Sequence, residues 1–227
     1  MKVFHFARGI KNLFSGQKIR RQLLTVYILA GFLPILILGM YLVLNTRALV
    51  INQHYSQAIA DNLRVRSIIL DITTSLENIS DDLFSDTALH DILREQYPSN
   101  GESYAACRTY TKMNYYTNNY TEISDLTLYV NNRTICDYGN FKTAPDEVRD
   151  TEWYQRAQKS VGNYLWMTIG TKDMGGTPVS KLALIRKIPI FNSGGEYAIL
   201  VISINNNYLK TRVNNGTLKT ELSATNG

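Results

Sequence analysis

One group of side chains in this sequence has residue types that could hold a metal ion. It consists of Asp81, Asp82, Asp86 and His90. Neighbouring residues on a helix point about 100° apart, so the carboxylates of Asp81 and Asp82 diverge. We interpret the group as a solvated helix face and predict no metal site. The sequence has no Ser/His/Asp set, no CxxC pair and no HExxH motif, so no catalytic residue and no cofactor are predicted.

Two cysteines, Cys107 and Cys136, are the remaining reactive side chains of note. An oxidising compartment would permit one disulfide between them, and two free thiols are an equally ordinary arrangement. Both alternatives stay open at this point. Two cysteines are too few for a disulfide scaffold, so the fold must depend on a hydrophobic core.

The formal net charge of +5 is concentrated at one end of the chain. Residues 1–22 contain six basic side chains and no acidic one, and the remainder contains 18 basic and 19 acidic side chains. A basic surface spread over a globular domain is therefore absent from the sequence. This distribution argues against nucleic acid as a partner.

Residues 23–44 form an apolar run without a charged side chain. As a helix the run would extend about 33 Å, which is enough to cross a hydrocarbon core of about 30 Å. A cleaved signal peptide would have a shorter apolar region, roughly 7–15 residues, and a small-residue cleavage site. We therefore predict a transmembrane helix at 23–44, a cytoplasmic basic tail at 1–22, and an extracytoplasmic region at 45–227 of a cell-membrane protein.

The region outside the predicted span begins with a long amphipathic helix, from about residue 48 to about residue 84. Its apolar residues recur at spacings of mostly three or four, which are Tyr55, Ile59, Leu63, Ile69, Ile72, Leu76, Ile79 and Leu83. Such a stripe packs either against a sheet or against a second copy of the helix. We predict both along its length.

The remaining segments alternate between helical and strand-like patterns. A helix capped by Ser85 or Asp86 should reach about residue 95, and a helix capped by Asp150 or Thr151 should end near Gly162. Asn131-Asn132 should form the turn of a hairpin. The other predicted helices are 102–118 and 205–213, and the predicted strands are 123–130, 133–138, 164–170, 179–191, 196–204 and the start of a strand at 220–224. This order predicts an α+β fold with a five-stranded, mostly antiparallel sheet.

Several stretches in this order resemble the N-terminal sensor half of YesM-type bacterial sensor histidine kinases. These stretches, which together cover nearly the whole chain, are LPILILG, LENISDDLFSDTALHDIL, ISDLTLYVNN, TEWYQRA, KLALIRKIPIF and YAILVISIN. The resemblance implies a double Cache sensor, with PAS-like modules stacked on one long helix. Residues 45–213 would be the long helix and the membrane-distal module, and residues 214–227 would begin an incomplete membrane-proximal module.

The resemblance also implies a ligand pocket. Five residues lie on elements that line this pocket in Cache modules, and we predict that they bind ligand, namely Tyr129, Trp153, Tyr154, Trp166 and Arg186. The alternatives are that both tryptophans belong to the core and that Arg186 pairs with an acid. Cache sensors for amino acids have an arginine where this chain has Thr151, so the resemblance favours a sugar or oligosaccharide over an amino acid.

The sequence thus predicts the membrane-anchoring and ligand-sensing region of a two-component histidine kinase. It is expected to dimerise through the long helix and to signal by helix displacement. The second transmembrane helix, the HAMP relay and the kinase would lie beyond this chain. The alternatives are the sensor region of a chemoreceptor or of a cyclic-dinucleotide enzyme, and a membrane-tethered binding protein without signalling output.

Overall fold

The computed structural model of the 227-residue chain describes residues 19–160, 163–172, 176–190 and 196–214. The chain divides into two compact units, 1–60 and 61–227. The boundary between these units falls inside the first helix, and the predicted domain limits at residues 22, 44 and 213 stay predictions.

Helix α1 (Ile19–Phe84) begins in the first unit and contains Pro34. Within the described residues it is the one helix that is long and apolar enough to cross a membrane, with a mean hydropathy of 2.4 in its most apolar window. The predicted span at 23–44 lies in this helix, and its side chains are exposed. Length and composition therefore make α1 a candidate membrane span.

The second unit contains the last part of α1, where the predicted apolar stripe is buried. Ile72, Leu76, Ile79 and Leu83 are at most 6% exposed. Their spacings of four, three and four residues place them on one side of the helix. Asp86 then caps helix α2 (Thr87–Arg94), because its carboxylate accepts hydrogen bonds from the backbone N–H groups of Ala88 and Leu89.

The predicted helix at 102–118 is two helices, α3 (Asn100–Thr109) and α4 (Lys112–Asn119). The chain is extended at Tyr110, between them. The side chain of Tyr110 is 9% exposed, and its hydroxyl donates to Asp86 Oδ2 at 3.0 Å. Contacts with a distant part of the chain therefore interrupt a segment that is locally compatible with one helix.

A five-stranded sheet forms the centre of the second unit, as predicted. Its strands are β1 (Ile123–Val130), β2 (Phe141–Thr143), β3 (Tyr164–Lys172), β4 (Pro178–Pro189) and β5 (Tyr197–Ile204). Their order across the sheet is β2-β1-β5-β4-β3. The β1–β2 pair is parallel and the other neighbouring pairs are antiparallel, which confirms the α+β class and the mostly antiparallel sheet.

The predicted hairpin at Asn131-Asn132 and its return strand at 133–138 are wrong. The side chain of Asn132 is 2% exposed, and its amide donates to the carbonyl oxygens of Leu93 and Glu95 at the end of α2. The chain is thereby held away from a tight turn. It reverses instead at Gly139, whose φ of 54° suits glycine, and then runs parallel to β1 as β2.

Three further helices complete the described chain, and they are α5 (Asp146–Arg149), α6 (Glu152–Lys159) and α7 (Asn206–Asn214). Sequence reasoning missed α5 and placed α6 and α7 to within a few residues. The predicted end of α6 at Gly162 and the predicted strand at 220–224 lie outside the described residues. Arg64 of α1 caps α7, because its guanidinium donates to the carbonyl oxygens of Arg212 and Val213 at 2.9 and 2.8 Å.

The sheet separates two hydrophobic clusters. On one face, Leu128, Leu184 and Leu200 pack in the cluster that contains the buried residues of α1 and α2. On the other face, Ile185 and Ile199 pack in the cluster that contains the buried residues of α6. We call these the α1 face and the α6 face of the sheet. Side chains that alternate along a strand point to opposite faces.

Candidate functional site

Helix α6 positions two of the predicted ligand-binding residues. Trp153, Tyr154 and Ala157 are at most 9% exposed and lie on one side of the helix, whereas Glu152 and Arg156 on its other side are exposed. The apolar side of this short helix therefore faces the sheet. Trp153 and Tyr154 lie in its first turn.

Tyr129 of β1 meets both of these side chains on the α6 face. Its ring centroid lies 6.0 Å from that of Trp153 and 6.4 Å from that of Tyr154, and the centroids of Trp153 and Tyr154 are 5.7 Å apart. These separations fall within the range of favourable aromatic contacts. The structure thus brings together three of the five predicted residues, and we call Tyr129, Trp153 and Tyr154 the aromatic site.

The hydroxyl groups of the aromatic site stay protonated at physiological pH. Burial raises the pKa of Tyr154 to about 12, with a further contribution from its hydrogen bond to Tyr197. Burial also raises the pKa of Tyr129, and the charge of Asp125 acts in the same direction. Both phenols are therefore neutral groups that can donate and accept hydrogen bonds.

Two basic side chains accompany the aromatic site. The charge of Arg149, at the end of α5, acts on Tyr154 by opposing the rise of its pKa. The Nε atom of Arg149 is buried and has no hydrogen-bond partner among the described residues. Lys187 Nζ lies 4.9 Å from the ring centroid of Tyr197, whose hydroxyl accepts from Gln158 at 2.8 Å.

Sequence reasoning did not select Arg149, Lys187 or Tyr197. Arg149 precedes Trp153 by four residues, which was a usable signal for proximity. Lys187 lies on β4 and Tyr197 on β5. Which face of the sheet their side chains share with Tyr129 depends on the register in which these strands pair with each other and with β1. That register is a property of the assembled sheet, and it pairs Lys187 with Ile199 and Tyr129 with Ile199.

The other two predicted residues, Trp166 and Arg186, lie on the α1 face, so the five residues do not form one pocket. Trp166 Nε1 donates to Glu77 Oε1 at 3.2 Å. Arg186 donates to Asp81 Oδ1 at 2.5 Å and lies 4.0 Å from the ring centroid of Phe84. Both side chains connect the sheet to α1. The contacts of Arg186 agree with the alternative that this residue pairs with an acid.

The acidic group on α1 and the start of α2 has structural partners. Lys112 Nζ of α4 lies 2.7 Å from Asp82 Oδ2 and 2.8 Å from Asp86 Oδ2. The hydroxyl of Tyr116 also donates to Asp82. Among the described residues, no group of three or more His, Cys, Asp or Glu side chains could hold a metal ion.

Cys107 and Cys136 are free thiols in this structure. The Cys136 backbone N–H donates to Ser103 Oγ at 2.8 Å, and Ser103 also hydrogen-bonds the thiol of Cys107. Burial raises the pKa of Cys107 to about 11, and the charge of Cys136 adds to this rise. The two thiols are thus near each other, and in this structure they follow the alternative of two free thiols rather than the possible disulfide.

No protein family and no curated protein matches the chain. Among solved structures, it is similar to a domain of a sensory box/GGDEF family protein from Vibrio parahaemolyticus, with a TM-score of 0.51 and 16% sequence identity. The match covers 70% of this chain and 63% of that one. At this identity the likeness shows the fold alone, a PAS-like α+β architecture, and it indicates neither a ligand nor an output for this chain.

Proposed function

We propose that the chain is the ligand-sensing and membrane-anchoring region of a bacterial sensor histidine kinase of the YesM type, with a Cache module as its sensor. The observation that carries the proposal is the aromatic site on a sheet that has the fold of a sensory box domain. The order of sequence stretches described above supports the narrower YesM assignment. Neither the aromatic site nor the order of sequence stretches depends on a catalytic residue.

The proposed anchor is the apolar run at 23–44 of α1. The six basic side chains at 1–22 support a cytoplasmic N-terminus, because cytoplasmic flanks of membrane helices are enriched in Lys and Arg. Residues 45–227 would then lie outside the cell membrane. Fusion of a reporter that is active on only one side of the membrane, placed after residue 214, tests this orientation.

The proposed ligand is a sugar or oligosaccharide that binds at the aromatic site. The flat faces of Trp153 and Tyr129 suit the apolar faces of sugar rings, and the neutral hydroxyl of Tyr154 suits sugar hydroxyl groups. Arg149 adds a donor that could bind a carboxylate, so acidic sugars belong in the same ligand class. The three rings contact one another, and a ligand would have to separate or cover them.

The proposed signal is a small displacement of α1 relative to the sheet. Arg186 and Trp166 connect β4 and β3 to Asp81 and Glu77 of α1, so a change in the sheet reaches this helix through these partly buried contacts. A ligand can shift such an equilibrium only by binding one arrangement more tightly than the other. The kinase that responds would be encoded beyond residue 227.

We predict that Trp153→Ala removes the thermal stabilisation by a sugar ligand, because it removes one wall of the aromatic site. The measurement is a thermal-shift screen of neutral and acidic oligosaccharides on the full chain in lipid nanodiscs. Arg186→Ala should lower the melting temperature without ligand but keep the shift caused by ligand, since Arg186 lies on the α1 face. Tyr115→Ala, which truncates a tyrosine that is 57% exposed, is the matched control.

Tyr154→Phe and Arg149→Gln keep the packing of the site and provide a second test if Trp153→Ala does not fold. Each should weaken binding of a hit that uses the hydroxyl or the guanidinium. A ligand whose stabilisation is unchanged in all three variants does not bind at the aromatic site. That result would contradict the proposed location.

A second candidate output keeps the sensor and replaces the kinase. The solved neighbour is described as a sensory box/GGDEF family protein. This description supports a cyclic-dinucleotide enzyme as the alternative output to the kinase. A chemoreceptor, or a membrane-tethered binding protein without output, remains as a further alternative. The reading frame downstream of residue 227 distinguishes these outputs directly.

A further inference from the structure

A cavity of about 630 Å³ lies on the α1 face, between α1, the sheet and α7. This volume is within the range of small-molecule sites, roughly 300–1,000 Å³. The aromatic site lies on the other face of the sheet, so the strands separate it from this cavity. We call this cavity the α1–α7 groove.

The walls of the groove are mainly apolar. Ile72 of α1 and Ile204 of β5 are 6% and 2% exposed, and the other apolar residues of the lining are Ile69 of α1, Leu182 of β4 and Leu209 of α7. Thr73 stands at the α1 wall, and its hydroxyl donates to the carbonyl oxygen of Leu70 at 3.1 Å. The interior therefore suits a compact hydrocarbon or aromatic body rather than a polyhydroxylated one.

One charged side chain, Lys210, lines the groove. It is exposed on α7, at the opening of the groove, and no carboxylate is among the described residues that form the lining. A long aliphatic stem lets a lysine ammonium reach a ligand group at such an opening. The charge therefore favours an anion, and a single ammonium matches a singly charged carboxylate better than a phosphate, which several donors usually hold.

We propose that the α1–α7 groove binds a small amphipathic carboxylate, with its apolar body against Ile72 and Leu182 and its carboxylate paired with Lys210. Such a ligand would contact α1 and α7 together. Arg64 of α1 already holds the end of α7 through two carbonyl oxygens, so a bound ligand would add a second connection between these helices. This site is separate from the proposed sugar site and does not depend on it.

The test uses the full chain in lipid nanodiscs and isothermal titration calorimetry with 5-phenylpentanoate and its neutral analogue 5-phenylpentan-1-ol. Lys210→Ala should weaken binding of the acid about fivefold, the size expected for an exposed ion pair, and should leave binding of the alcohol unchanged. Lys159→Ala, which removes an exposed lysine from α6, should match the wild type for both probes. Partition into the lipid is the same in every variant and cancels in these comparisons.

Thr73→Trp fills the groove from α1 and should weaken binding of both probes more than tenfold. Thr74→Trp places the same side chain at the next, exposed position and should bind as the wild type does. Full binding by Thr73→Trp, or an effect of Lys210→Ala that is equal for acid and alcohol, would each overturn the proposal.

Discussion

The carboxylate of Asp86 has partners on α2, on α4 and in the break between α3 and α4. One carboxylate oxygen caps α2, and the other accepts from Tyr110 at 3.0 Å and from Lys112 at 2.8 Å. Burial would raise the pKa of this carboxyl, but the hydrogen bonds from Lys112, Tyr110 and the Leu89 backbone outweigh it and lower the pKa. The same residue therefore starts one helix and positions the break between two others.

We predict that Asp86→Ala lowers the free energy of unfolding by about 2 kcal/mol, because it removes a helix cap and two side-chain hydrogen bonds. Urea unfolding of the detergent-solubilised chain, monitored by tryptophan fluorescence, measures this free energy. Both tryptophans lie in the second unit, so the fluorescence reports on its unfolding. Asp91→Ala, which removes an exposed partner of Arg94, should cost less than about 0.5 kcal/mol. An equal effect of both substitutions would contradict this role for Asp86.

The pH dependence follows from the direction of the pKa shift. The pKa of Asp86 is lowered from its ordinary value of 3.8, so its contribution is complete above that value and is lost as the pH falls through the lower pKa of the folded state. Asp82 is shifted the same way, mainly by its hydrogen bonds from Lys112 and Tyr116. The stability difference between wild type and Asp86→Asn should shrink below about pH 4, and a constant difference would count against the assignment.

At the scale of elements, local patterns predicted the long helix and the strand β1 well. The stripe from Ile72 to Leu83 and the strand-like pattern of residues 123–130 are local properties, and both elements were predicted correctly. The break at Tyr110 depends on Asp86, which is 24 residues earlier in the sequence, and the parallel strand β2 depends on pairing with residues of β1 beyond an intervening loop. Periodicity within a short window does not contain this information.

Asn132 shows how one buried amide decides the path of a segment. Its Nδ2 donates to Leu93 and Glu95, and its Oδ1 accepts from the backbone and side chain of Thr134. These four contacts hold residues 131–140 against the end of α2. The same Asn-Asn pair that favours a tight hairpin turn in isolation is used here to cap a helix and to order a loop.

We predict that Asn132→Ala lowers the free energy of unfolding by about 2 kcal/mol, because buried carbonyl and hydroxyl groups lose their partner. The neighbouring substitution Asn131→Ala, at an exposed position, should change it by less than about 0.5 kcal/mol. Urea unfolding under identical conditions compares the two. Equal destabilisation would mean that the loop is not held through the side chain of Asn132.

At the scale of the whole molecule, the exposed apolar residues of α1 in the second unit support the proposed homodimer. Leu63 and Leu70 are 58% and 52% exposed. They are seven residues apart, so they lie within about 20° of each other around the helix. Two such leucines on one side of a long helix are the arrangement that a helix-helix seam requires.

We predict that Leu63→Glu combined with Leu70→Glu converts a dimer of the full chain into a monomer, because four carboxylates would meet in an apolar seam. Sedimentation of the detergent-solubilised chain, corrected for bound detergent, gives the mass. Asn62→Glu with Asn78→Glu adds the same charge at exposed positions about 100° and about 60° around the helix from Leu63, and should leave the dimer intact. A wild-type monomer, or a double leucine variant that stays dimeric, would contradict dimerisation through these residues.

The amino-acid sequence by itself determined the apolar run at 23–44, the concentration of basic charge before it, the long helix, most strands and the α+β class. These follow from composition and from local periodicity, because burial of one face repeats at a fixed spacing. The tertiary structure decided which of the predicted residues meet. Tyr129, Trp153 and Tyr154 share the α6 face, whereas Trp166 and Arg186 belong to the α1 face, because strand register and order across the sheet arise only when distant segments pair.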